Sequence, residues 1–148
     1  MSRISQYLTD EHHHCDDLFA QAEEAASRGG WAEAKDGFGR FRRSTEAHFE
    51  MEEKVLFPAF ENATGISLGP TQVMRMEHRQ MREVFSQMAA AAQRQDADEY
   101  LGLSETLLML MQQHNLKEEQ ILYPMADQAL AGQRETLIGS MQALASGA

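Results

Sequence analysis

The chain has 148 residues, 43% hydrophobic and 24% charged, with only 3 prolines, which is one ordered domain's worth of chain and excludes a disordered polymer. Its net charge of −10, from 13 Lys+Arg against 23 Asp+Glu, repels phosphate backbones and anionic lipid and so argues against nucleic-acid and membrane-surface roles. The single cysteine, Cys15, rules out an intrachain disulfide framework and suits a reducing compartment.

The first residues, MSRISQYLTDEHHH, carry charge and histidine where a signal peptide needs an apolar run. No stretch reaches 18 uninterrupted apolar residues, so no membrane span is expected. A soluble cytoplasmic protein is the expectation.

Four long segments show helical spacing. The first runs from about Ser2 to Arg28 and stops at Gly29-Gly30. The second extends from near Trp31 to about Asn62, with its early turns weakened by Gly37 and Gly39. After the loop from Thr64 to Gly69, Pro70 is placed as the first residue of the third helix, which reaches about Gln95. Asp96 or Asp98 is positioned to cap the fourth, which runs to about Leu130. Beyond Gly132 a tail over about residues 133–146 places Leu137, Met141 and Leu144 at helical spacing, and packing on the end of the bundle is expected. The fold read from this pattern is all-α: one domain over residues 1–148, with an antiparallel up-down-up-down four-helix bundle over about 2–130 and a short C-terminal helix.

An internal repeat at an offset of 66 residues organises the rest. Glu11-His12 returns as Glu77-His78, and Leu18-Phe19 as Val84-Phe85. The run from His48 to Pro58 (HFEMEEKVLFP) returns from His114 to Pro124 as HNLKEEQILYP. Helices one and three are therefore counterparts, as are two and four. A pseudo-two-fold bundle follows, in which a site on the axis is built twice from the same residue types.

Two copies of His-x-x-x-Glu, His48 with Glu52 and His114 with Glu118, stand on helices two and four. Four residues advance about 400°, so each pair lies about 40° apart and one turn along. Glu53 and Glu119 sit about 140° round from the histidines and are expected to point elsewhere. The faces continue as Phe41, Thr45, His48, Glu52, Val55 and Ala59, and as Leu107, Met111, His114, Glu118, Ile121 and Met125. Helix one gives Leu8, His12, Cys15, Phe19 and Ala22; helix three gives Met74, His78, Met81, Phe85 and Met88. Each is a core-facing stripe interrupted by histidine.

A buried carboxylate costs several kcal/mol unless paired or coordinated. Two of them facing four imidazoles call for metal ions, and this donor set suits iron, manganese or zinc. The simplest assembly gives His12 and His48 to one metal and His78 and His114 to the other, with Glu52 and Glu118 bridging. Six protein ligands on two metals leave positions open to water, hydroxide, oxo or a diatomic molecule.

Blander readings compete. A lone His-x-x-x-Glu is usually a solvent-facing pair; two in repeat register on apolar stripes are not. His13 and His14 correspond to Arg79 and Gln80, so only His12 of that run is expected to be a ligand. Cys15 is read as a small core residue, and the 10 methionines as packing. Tyr123 and its counterpart Phe57 are read as packing too, though a phenol near oxidising iron could be redox active. Pro58 and Pro124 are expected to kink or end the helix beyond the ligands.

With these residues in place, the sequence resembles the hemerythrin-like, or HHE cation-binding, family of non-haem di-iron four-helix bundles, over about residues 4–130. The family's order of His, His-x-x-x-Glu, His, His-x-x-x-Glu is met by His12, His48, Glu52, His78, His114 and Glu118. The resemblance implies two iron ions, oxo- or hydroxo-bridged, with zinc or manganese as substitutes, and a dioxygen, peroxide or nitric oxide ligand in sensing or stress response. Oxygen-carrying members place a fifth histidine where this chain has Met74, and their helix-four acid follows its histidine by five residues, as Glu119 does here. The centre is closer in this respect to iron-centre-repair proteins, which carry in addition an N-terminal cysteine-bearing domain not found in these residues. Iron sensing or storage and a metal-free interaction module are the alternative readings. No catalytic base is identifiable, so the residues stop short of an enzyme assignment.

Overall fold

A computed structural model describes residues 3–147. Helix α1 spans Ile4–Ser27; the expected start at Ser2 lies outside the described residues. Helix α2, Trp31–Met51, passes through a π-helical turn, Glu52–Leu56, into α3, Phe57–Thr64. Helix α4 spans Pro70–Gln93, with proline in its first turn as its fixed φ favours. Helix α5, Ala97–Lys117, passes through a second π turn, Glu118–Leu122, into α6, Tyr123–Ala129. A 3₁₀ turn, Ala131–Gln133, leads to α7, Arg134–Gly147. No strand occurs among the described residues, and no helix is long and apolar enough to cross a membrane.

The four long rods form the antiparallel bundle: α1 packs on α2, α4 on α5, and the ring closes through α2 with α4 and α1 with α5. Gly37 serves that packing rather than merely weakening its helix, since a Cβ there would lie 3.3 Å from Ala22 Cβ on α1. Asp96 caps α5 by accepting from the Glu99 N–H at 3.1 Å. Helix α7 buries Leu137 and Met141 and half-buries Leu144, as their spacing implied, but it lies along α2 and beside the first π turn and α1, with Ala145 near Ser44 and Ala47, and not across the end of the bundle.

Among the described residues the apolar core falls into two clusters, one at each end of the bundle. Phe19, Phe38, Phe41, Phe85, Met88 and Tyr100 fill one; Leu8, Met51, Leu56, Phe57, Met74 and Tyr123 fill the other. Between them lies a polar layer of buried histidine and glutamate.

The expected stripes hold on helices one and three, whose ten named positions are all buried. On helices two and four they fail past the glutamates. Ile121 and Met125 are 54% and 37% exposed and Val55 and Ala59 only partly buried, while Leu56, Phe57, Leu122 and Tyr123 face the core. The π turns are the cause: Phe57 N–H bonds the Glu52 carbonyl and Tyr123 N–H the Glu118 carbonyl, five residues back, and each such turn shifts the inward face by one residue. Pro58 and Pro124 follow immediately. A proline removes one donor and its ring clashes with the carbonyl four residues earlier; the wider turn relieves that clash, so the helix expands before each proline instead of ending there.

The repeat extends to the hairpin turns. After α1, Gly29 takes φ +74°, its N–H bonding Ala26 O and that of Gly30 bonding Ala25 O. After α4, the same two bonds run from Gln95 to Ala92 O and from Asp96 to Ala91 O, but the left-handed residue is Gln95, at φ +57°. A side chain at such φ costs about 1 kcal/mol that glycine avoids. Gln95→Gly should therefore stabilise the fold by about 0.5–1 kcal/mol in denaturant melts; a loss of stability would show the strain to be absent.

Candidate metal centre

The polar layer is assembled by one residue type per helix at one height. His12 on α1 and His78 on α4 meet the ends of α2 and α5, where the last α-helical turn presents His48 and His114 and the first π residue presents Glu52 and Glu118. All six are buried, with Glu52, Glu118 and His78 wholly so. The imidazoles stand in pairs, His12 with His48 at 4.8 Å between ring centres and His78 with His114 at 5.0 Å.

The carboxylates span both pairs. Glu118 Oε1 lies 3.0 Å from His12 Nε2 and 3.3 Å from His114 Nε2. Glu52 places Oε1 3.0 Å from His78 Nε2 and Oε2 3.6 Å from His48 Nε2. Two groups of mutually close ligand atoms result, Glu52-His78-His114-Glu118 and His12-His48-Glu118, sharing Glu118. Several of these atoms, His78 Nε2, His114 Nε2, Glu52 Oε1 and Glu118 Oε2, are buried and make no well-aligned hydrogen bond among the described residues, the 3.0 Å approach of His78 Nε2 to Glu52 Oε1 included. Inward-facing polar atoms that satisfy one another so poorly fit a cation set among them.

An outer set of carboxylates orients the histidines. His12 Nδ1 meets Glu119 Oε2 at 2.7 Å, His78 Nδ1 meets Glu53 Oε2 at 2.7 Å, and His114 Nδ1 meets Glu77 Oε1 at 2.9 Å. Glu53 and Glu119 do turn away from the histidines of their own helices, as the 140° spacing requires, but each reaches the histidine of the neighbouring helix. The sequence signal was the repeated Glu-Glu doublet. A histidine whose outer N–H is held by a carboxylate keeps its inner nitrogen's lone pair aimed inward. Glu53 is itself gripped by Arg82 at 2.9 and 3.1 Å, and Glu77 by Lys117. Burial works against the Glu53 charge, but His78 and Arg82 outweigh it and hold the carboxyl down at about 2. The His114 hydrogen bond, against a smaller burial effect and with help from Lys117, holds Glu77 at about 2. Arg82 corresponds in the repeat to Asp16, and Lys117 to Met51, so the outer set is not symmetric. His48 Nδ1 is buried with no hydrogen-bond partner among the described residues.

Tyr123 enters the same layer. Its hydroxyl donates to Glu52 Oε2 at 2.7 Å and lies 2.9 Å from Glu118 Oε1, 3.1 Å from His12 Nε2 and 3.4 Å from His48 Nε2. Tyr123 packs in the apolar cluster as expected but also brings its phenol to the polar layer, a placement that a 3.6-residue period does not show because the π turn carries the residue inward. Cys15 is the small buried residue expected, with Sγ 3.6 Å from Ser44 Oγ. His13 and His14 are exposed, and Met74 packs in the apolar cluster below the layer. Above the layer a cavity of about 20 Å³ is lined by His12, His48 and His114 and, one turn further, by Cys15, Thr45, Met81 and Met111. That is room for a molecule the size of water or a diatomic.

Burial disfavours charge on His12 and His114, yet the neighbouring carboxylates outweigh it and push them up to about 9 and about 10. Folded-state values above the ordinary 6.5 mean that the fold binds these protons more tightly than the unfolded chain. Their stabilising contribution is complete below pH 6.5 and disappears as the pH climbs through about 9 and 10. Chelator-stripped protein should thus melt lower at pH 10 than at pH 6.5. Metal added at neutral pH should acidify a weakly buffered solution, since ligand imidazoles must be neutral; no proton release would count against ligation by His12 and His114. Glu53→Gln and Glu119→Gln should each weaken metal binding by about 10–100-fold in chelator competition, and unchanged affinity would reduce these contacts to ordinary surface pairs.

No curated protein and no solved structure matches the chain. The hemerythrin HHE cation binding domain matches residues 3–126, a span that contains all six inward-facing residues and all three outer carboxylates. The chain therefore belongs to the hemerythrin HHE cation-binding family.

Proposed function

We propose that the chain holds two iron ions between His12, His48, Glu52, His78, His114 and Glu118, and that this centre reacts with a small oxidant such as dioxygen, peroxide or nitric oxide. The observation that carries this reading is the pair of overlapping ligand groups joined through Glu118. Four imidazoles and two carboxylates form the hard-to-intermediate donor set that suits iron, with manganese or zinc as substitutes. Six protein ligands leave each of two ions short of an octahedral set. Bound iron would supply the electrons and the open coordination positions.

The chain's own residues do the rest. Glu119, Glu53 and Glu77 fix three histidine rings by their outer nitrogens. Phe49, stacked on His78 at 3.9 Å, shields that side of the layer. The small cavity beside Cys15 and Thr45 limits what arrives to a molecule of a few atoms. A free, buried cysteine beside the centre suits a reducing cytoplasmic setting.

A second reading, iron sensing or storage, is favoured by the split core. With the polar layer lying between two apolar clusters, metal occupancy would set the stability of the whole bundle. Protein stripped and reloaded with ferrous iron separates the two. On the oxidant reading, two irons per chain give an absorption change when peroxide, air or nitric oxide is added. With iron bound and no such change, but a higher melting temperature, the sensing reading takes its place. Glu118→Ala should lower the occupancy of both positions, because both ligand groups use it; retention of two metals in that variant would remove the shared carboxylate from the account.

A further inference from the structure

Besides the outer set, the two halves of the centre differ in the inner layer by one oxygen atom. Phe57 and Tyr123 are repeat counterparts delivered by equivalent π turns. Their rings stack alike on counterpart histidines: Phe57 on His78 at 5.8 Å and 24°, Tyr123 on His12 at 5.6 Å and 26°. Only Tyr123 adds a hydroxyl, and that oxygen sits 2.7–3.4 Å from Glu52 Oε2, Glu118 Oε1, His12 Nε2 and His48 Nε2.

A phenol has one hydrogen and can donate it to one acceptor. Here four inward-facing ligand atoms crowd about it, three of them the members of the His12-His48-Glu118 group. With His12 Nδ1 occupied by Glu119, the neutral ring directs its Nε2 lone pair at the same point. An oxygen 2.7–3.4 Å from four such atoms keeps the spacing that donors about 2.1 Å from one ion keep from each other, so it stands beside them as a further donor. In a regular α-helix Tyr123 would stand about 140° away from Glu118. The π turn is what brings both to one side.

We propose that the Tyr123 oxygen is a seventh protein ligand, bound to the metal between His12 and His48 and not to its neighbour, so that the two metal positions differ chemically. This rests on the two-metal reading above. On ligation the O–H bond breaks, its proton leaves to water, and an oxygen lone pair is donated to the metal. The result is an anionic, hard oxygen donor on one ion only, which favours the ferric state there.

The full chain, loaded with iron and oxidised in air, tests this. Ferric iron bound by a phenolate gives a visible charge-transfer band with resonance-enhanced tyrosine ring vibrations. Tyr123→Phe should abolish both while iron content stays at two per chain, since Phe57 shows that a phenyl ring is accommodated at the equivalent place. Phe57→Tyr should add a second such oxygen and strengthen the band. Two ferric ions per chain without a phenolate band, or a band that survives in Tyr123→Phe, would overturn the assignment. Metal analysis keeps the two claims apart: failure to hold iron at all sinks the two-metal reading and this one with it, whereas iron without phenolate sinks only this one.

Discussion

Two glutamates with no solvent exposure, Glu52 and Glu118, set the terms for everything around them. Carboxylates taken wholly out of water are tolerable only among compensating charge and donors. Each therefore faces imidazoles from two helices. The histidines then need fixing, which Glu53, Glu77 and Glu119 do from outside, and two of those need Arg82 and Lys117 in turn. Charge alternates outward from the axis until it reaches the surface, where solvent completes the screening.

The backbone device that makes this possible is the π turn. An α-helix spaces inward positions at three and four residues, which accounts for His48 to Glu52 and His114 to Glu118 but leaves the next residues misdirected. Widening the coil at Glu52 and Glu118 restores an inward course one residue later, and the prolines that follow make the wider turn the less strained choice. One backbone adjustment thus positions a buried, inward-facing glutamate at its start and an aromatic ring at its end.

The sequence made legible whatever obeys a constant period or is written twice. The stripes of helices one and three, the six inward residues and the selection of His12 over His13 and His14 all follow from the 66-residue repeat combined with a turn of 3.6 residues. Past Glu52 and Glu118 that arithmetic placed Ile121 and Met125 in the core, and both are exposed, because a change of helix type alters the period itself. The duplicated prolines and Glu-Glu doublets were its trace. The outer carboxylates escaped for another reason. An angle about one helix axis says that Glu119 leaves its own face, but only the arrangement of neighbours shows it arriving at His12.

The apolar clusters at the two ends and the histidine layer at mid-height have different tolerances to sliding. Leucine, methionine and phenylalanine can repack after a small slip of one helix past another, at modest cost. A helix displaced by a full turn moves its histidine by about 5.4 Å, more than the spacing of the ligand atoms themselves. Vertical register in this bundle is thus a property of its equator. Drift in the end layers over evolutionary time would leave the rods aligned, provided the six residues at the belt stay level with one another.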